Sequence, residues 1–283
     1  MFFWMIRTFD HAGYYETRLI LVAVCLLVAC YFAYYRLDRR FLLMLASGAI
    51  FQTLIEYILL FRVLRTGDGS ISLFGERIPI LIRPIIQGCA DGAPLAMFAF
   101  WFADLWSSHA RMKRWLALVG FGVVIAALSF AAGSVARNHP ITSARPMFAA
   151  LPIFAITGVI FFSLFIAWRK DALPGLANYY AGMIFFAILC YEPLHLTGAR
   201  YIGLMSDLES GPQISAAPMP AQVVVMLLSH LYEAAGAKLH YFIVPLALGL
   251  LSLKAPGHGA ERYSTQHLLD LAQRGWRKKA PRA

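Results

Sequence analysis

Long apolar runs separated by short polar connections set the pattern of this chain. They lie at about 19–35, 41–61, 79–106, 115–135, 147–168, 176–198 and 221–253. At 1.5 Å per residue they measure about 26 Å or more, within the range of spans that cross a hydrocarbon core of about 30 Å. The pattern predicts an all-α fold, a polytopic bundle of seven transmembrane helices over residues 1–254. Residues 255–283 follow as a tail that pairs Leu268, Leu269, Leu271 and Trp276 with the basic run Arg277-Lys278-Lys279. That tail reads as a helix lying on a face of anionic lipid.

The connections differ in character. Residues 1–17 carry Phe2, Phe3, Trp4, Tyr14 and Tyr15 and read as an interfacial lead-in with aromatic anchors. Between the second and third runs, Gly67-Asp68-Gly69 and Phe74-Gly75-Glu76 predict a small hairpin. Residues 199–220, rich in Gly, Pro and Ser, read as a loop. The third run is interrupted at its middle by Gln87-Gly88-Cys89-Ala90-Asp91-Gly92-Ala93-Pro94. Such a stretch at membrane depth either lines a cavity or marks a close helix crossing through small residues. Pro193 kinks the sixth run and Pro245 bends the seventh.

Composition agrees with a membrane solvent. The 283 residues are 60% hydrophobic and 14% charged, about half the charge of a soluble domain. The net charge of +10 points to topology rather than to nucleic acid, because it sits in the connections and the tail. The tail side holds 15 Lys and Arg against 9 on the other side. The positive-inside rule therefore places the N-terminus outside and the C-terminus inside, as in a bacterial inner (plasma) membrane. The four cysteines all lie in apolar runs without a Cys-x-x-Cys pair, as buried small hydrophobes do.

Ionisable residues inside the runs carry the chemistry, since each costs several kcal/mol in lipid unless it faces a protein interior or a wet cavity. They are Glu56 (one turn beyond Gln52), Asp91, Glu192, His195, His230, Glu233, Lys238 and His240. Counting along alternating spans puts all of these in the outer half of the bilayer and leaves only Asp104 in the inner half, near the interface. Glu192-x-x-His195 has the spacing that sets a carboxylate and an imidazole on one helix face, and His230-x-x-Glu233 repeats it in reverse. At 100° per residue His230, Glu233 and His240 share a face, while Lys238 points to the opposite side.

Mixed carboxylate and imidazole donors suit a divalent metal, Zn, Fe or Mn, in a mono- or dinuclear site. Glu56, Glu192, His195, His230, Glu233 and His240 are the candidate ligands, with Glu56 and Asp91 as candidate catalytic groups. The expected function is then a membrane-embedded metalloenzyme, a hydrolase or an oxygen-dependent hydroxylase or desaturase, acting on a lipid or other apolar substrate. A proton-coupled transporter using the same carboxylates as a relay is the alternative. An accessory subunit of a larger complex fits the same composition. An acid in the third span and a lysine in the seventh is similar to the layout of microbial rhodopsins, which would make Lys238 a retinal-bearing residue. Glu233 and Lys238 lie about 140° apart on a helix, however, where that family's acid and lysine share a face.

Overall fold

The computed structural model describes residues 2–8, 13–57, 71–79, 81–136, 143–149, 151–208, 211–233 and 238–252. The described chain is mostly helical. Helices α1 (Tyr14–Tyr35), α2 (Arg40–Ile55), α3 (Arg83–Gln87), α4 (Ala93–Ser107), α5 (Met112–Ala136), α6 (Leu151–Arg169), α7 (Leu173–Leu196), α8 (Met219–Glu233) and α9 (His240–Ala247) follow the apolar runs. Four stretches are long and apolar enough to cross a membrane: Tyr14–Tyr35, Arg83–Ser107, Met112–Val135 and Lys170–Leu196. α2 and α6 are shorter apolar helices. The seventh run holds two described helices, α8 and α9, and residues 234–237 between them lie outside the described residues, as do 58–70 and the tail from 253.

Helix α4 is the centre of the bundle. The span that contains it, Arg83–Ser107, is 72% buried along its apolar window, against 22% for α1. Ahead of α4 a π-helical turn, Gly88–Gly92, joins α3 to it without a break. Both readings of this stretch hold. The small residues do make a close crossing with α2, because a Cβ on Gly48 would sit 2.2 Å from the Gly92 carbonyl oxygen. One on Gly92 would sit 2.3 Å from that of Gly48. The same turn also lines a cavity through Asp91.

The prediction of an all-α fold needs correction. A four-stranded antiparallel sheet, in the order β4-β1-β5-β6, closes one end of the bundle. Its strands are β1 (Phe2–Arg7), β4 (Ser143–Pro146), β5 (Arg200–Leu208) and β6 (Gly211–Ala216). The supposed interfacial lead-in is thus a central strand, and the supposed loop 199–220 is a β-hairpin. Aromatic residues serve a half-buried strand as well as a membrane interface, so composition alone could not separate the two. The hairpin between the second and third runs forms as expected, from β2 (Ile71–Leu73) and β3 (Glu76–Ile78). It is tied to the bundle through Glu16 at the start of α1, whose carboxylate accepts from the Phe74 N–H at 2.5 Å and the Gly13 N–H at 2.8 Å.

The opposite end is knotted by Arg40. Its guanidinium donates to both Asp38 oxygens at 2.8 and 2.7 Å, to Asp104 at 2.9 Å and to the Ser252 carbonyl at 2.7 Å. One buried cation therefore fastens the start of α2, the end of α4 and the chain just past α9. Sheet and knot lie at opposite ends, so consecutive helical passes run antiparallel.

Candidate functional site

Strand register explains how three arginines reach the bundle. Cross-strand partners share a face of a sheet, and residues two apart on a strand share it too. Met5 pairs with Arg145 on one side and Ile202 on the other, while Arg7 pairs with Arg200. Met5, Arg7, Arg145 and Arg200 thus project from one face. Met5, Ile202, Met147, Ala217 and Val225 pack there as a small core between the sheet and α8. The arginines meet the helices around a cavity of about 30 Å³. Helices contribute Gln52, Glu56, Asp91, Tyr191, Glu233 and Lys238 to its wall, and the sheet contributes Arg7, Arg145 and Arg200.

Four cations and three carboxylates therefore share a space about the size of one water molecule. Glu233 accepts a short hydrogen bond from Arg145 Nη2 and another from Ser229 Oγ at 3.1 Å. Glu56, only 3% exposed, accepts from Gln52 Nε2 at 3.0 Å, and Gln52 in turn accepts from the Tyr241 hydroxyl. Arg200 and Lys238 both stand over the Tyr191 ring, at 4.7 and 5.4 Å from its centroid, a cation–π arrangement that partly replaces their lost water. Burial opposes the charge on Arg145, yet the Glu233 carboxylate outweighs it and holds the guanidinium pKa above its ordinary value. Arg200, as deeply buried and beside Arg7, is pushed down.

Backbone irregularity places several of these groups. Glu56, Asp91 and Lys238 all lie on π-helical turns, which insert a residue and re-aim a side chain relative to a regular helix. Glu233 is the last residue of α8, and Lys238 stands two residues before α9. The expectation that Lys238 faces away from Glu233 is corrected: Lys238 lies on a π turn, which departs from 100° per residue, and both side chains line the same cavity.

The remaining expected ligands disperse. Glu192 and His230 do meet, at 3.1 Å, with His230 stacked on Tyr191. His195 is one turn beyond Glu192, and its Nε2 is buried without a hydrogen-bond partner among the described residues. His240 is remote from the cavity lining, stacked on Phe161 and edge-on to Phe51, each at 5.0 Å. The His230–Glu233–His240 face thus does not form as one surface. Among the described residues no three His, Cys, Asp or Glu side chains assemble in a way that could hold a metal ion. Guanidinium and ammonium groups stand where a metal would have neutralised the carboxylates.

Arg7, Arg145, Arg200 and Tyr191 were not foreseen as site residues. For the three arginines the signal was their place in connections on the side that the Lys and Arg count makes the poorer one. A related case is Arg18, 1% exposed, which donates to Tyr14 Oη and Ser129 Oγ at 3.1 Å and to Cys190 Sγ at 2.9 Å. Comparison of the chain with protein-family models, curated proteins and solved structures found no match, so geometry alone carries the functional reading.

Proposed function

We propose that the chain is a seven-pass protein of a plasma membrane, N-terminus outside and C-terminus inside, working as a proton-coupled carrier of an organic anion. The antiparallel passes between the sheet and the Arg40 knot support the seven crossings. Orientation follows from the excess of Lys and Arg on the knot and tail side. An impermeant maleimide should label Glu76→Cys in intact cells and Met112→Cys only after lysis. The reverse pattern would invert the orientation.

One observation carries the carrier reading: Asp91, on a π turn of one span, lines the same charged cavity as Glu233 and Lys238 of another. Irregular helix turns that set charged groups around a cavity are where secondary transporters bind substrate and coupling ions. The coupling has a direct physical basis. An incoming anion that takes Arg145 displaces Glu233, and an unpaired buried carboxylate is too costly to remain ionised, so it takes a proton. One anion would then travel with one proton. Proteoliposomes enclosing a pH dye provide the test. External succinate or an alkyl sulfonate should acidify the lumen, and Glu233→Gln should abolish the response. Absence of any response, with stoichiometric zinc, iron or manganese in the purified protein, would favour the metalloenzyme, for which the Glu192–His230 contact supplies two ligands.

A further inference from the structure

Behind the charged cavity lies an apolar groove of about 640 Å³ between α6, α7 and α8, lined in part by Leu151, Phe154, Ala155, Val159, Leu173 and Tyr180. That volume is in the range of small-molecule sites, and its lining carries no acidic or basic side chain. Phe154, 3% exposed, lines both the groove and the charged cavity. A single aromatic ring thus stands between an apolar trough and a cluster of cations.

The cluster has unspent capacity. Arg145 is 4% exposed and gives Nη2 to Glu233, while its Nε and Nη1 have no hydrogen-bond partner among the described residues. Buried guanidinium donors left unpaired are costly, and each of the two can bond a carboxylate oxygen, either one forming a fork with the adjacent Nη2. Cationic side chains outnumber carboxylates in the lining, four to three, which favours an incoming anion. Size favours a carboxylate over the bulkier phosphate, because a cavity of about 30 Å³ needs less enlargement to admit it.

We propose that groove and cavity form one site for a long-chain carboxylate, its alkyl chain in the α6–α7–α8 groove and its headgroup on Arg145 beside Lys238, with Phe154 turning aside to join them. This rests on the anion-handling reading of the cavity and names the substrate class as a single-chain anionic amphiphile arriving sideways from the lipid.

Photolabelling of the full-length protein in nanodiscs tests it, with ω-diazirine dodecanoate as the probe. Label should fall within residues 151–162, and unlabelled laurate should suppress it. Dodecanol and acetate, which lack the charge and the chain respectively, should compete at least about tenfold less well. Ala155→Trp, at an exposed position, should fill the groove, and Arg145→Lys should keep the charge beside Glu233 while losing the fork. Both should remove specific labelling while gel-filtration profile and melting temperature stay unchanged. Equal competition by dodecanol or by acetate would overturn the site, as would labelling indifferent to Ala155→Trp or spread evenly over lipid-facing Val119 and Val123. Specific labelling without proton-coupled uptake would refute the carrier alone. Succinate uptake without specific labelling would refute this site alone.

Discussion

Arg145 and Glu233 offer a quantitative test of the cavity through a double-mutant cycle. Their side chains are 5% and 13% exposed, so this is a buried pair, and losing one partner should cost about 3–5 kcal/mol. The two single losses should differ. Arg145→Met leaves Glu233 with Ser229 Oγ and with Lys238 in the same cavity, which places the cost near the lower bound. Glu233→Leu leaves Arg145 without that carboxylate and close to Arg7 and Arg200, which places it near the upper. Arg145→Met/Glu233→Leu removes both charges and replaces them with apolar volume, a change that is often close to neutral. A coupling energy of at least about 3 kcal/mol is therefore expected. Reversible unfolding in mixed micelles, titrated with SDS and followed by tryptophan fluorescence, gives all four corners of the cycle. Additive single effects below about 1 kcal/mol would mean a solvated pair and would refute the closed cavity. A larger cost for Arg145→Met than for Glu233→Leu would mean that Lys238 does not support Glu233.

Three further outcomes follow from contacts elsewhere. Arg40→Met should lower stability by about 3–5 kcal/mol by taking the guanidinium away from the buried carboxylates of Asp38 and Asp104, and Asp38→Asn/Asp104→Asn on that background should restore part of it; the same unfolding titration reads both. Gly48→Val or Gly92→Val should cost at least about 1–3 kcal/mol, since the crossing has no room for a Cβ, and should impair uptake by shifting Asp91. Lys238→Met should leave the fold intact, because Glu233 retains Arg145, and should abolish uptake in the dye-loaded proteoliposomes; unchanged uptake would exclude Lys238 from the carrier mechanism.

What the sequence disclosed followed from the range over which its signals act. Apolar runs are contiguous, so the helices could be read directly, as could the Gln52–Glu56 pair one turn apart and the small residues around Asp91. The sheet could not, because its partners are remote: Arg200 bonds Met5 across 195 positions, and neither strand carries a turn signal naming the other. Arg7, Arg145 and Arg200 looked like topological charges because each stands beside an apolar run, where such charges usually lie. Lys238 was misplaced for a different reason. Its helical phase was counted at 100° per residue from His230, whereas Lys238 lies on a π turn, where that count does not hold. Glu192 and His230, both named from the sequence, meet because they lie on neighbouring helices, α7 and α8.

The position of β1 at the middle of the sheet sets an order of assembly. In the proposed orientation β1 is made before both of its partners and waits on the far side of the membrane until β4 and then β5 are translocated. Until then both of its edges are open to pairing with other chains. Helices bearing Glu56 and Asp91 enter the bilayer before Arg145 and Arg200 emerge, and those carboxylates meet their cations only as the sheet closes. Charge neutralisation is therefore a late event of biogenesis, and a chain halted before β5 would present unpaired acids and a bare strand, the two features by which quality-control proteases could distinguish it from the finished protein.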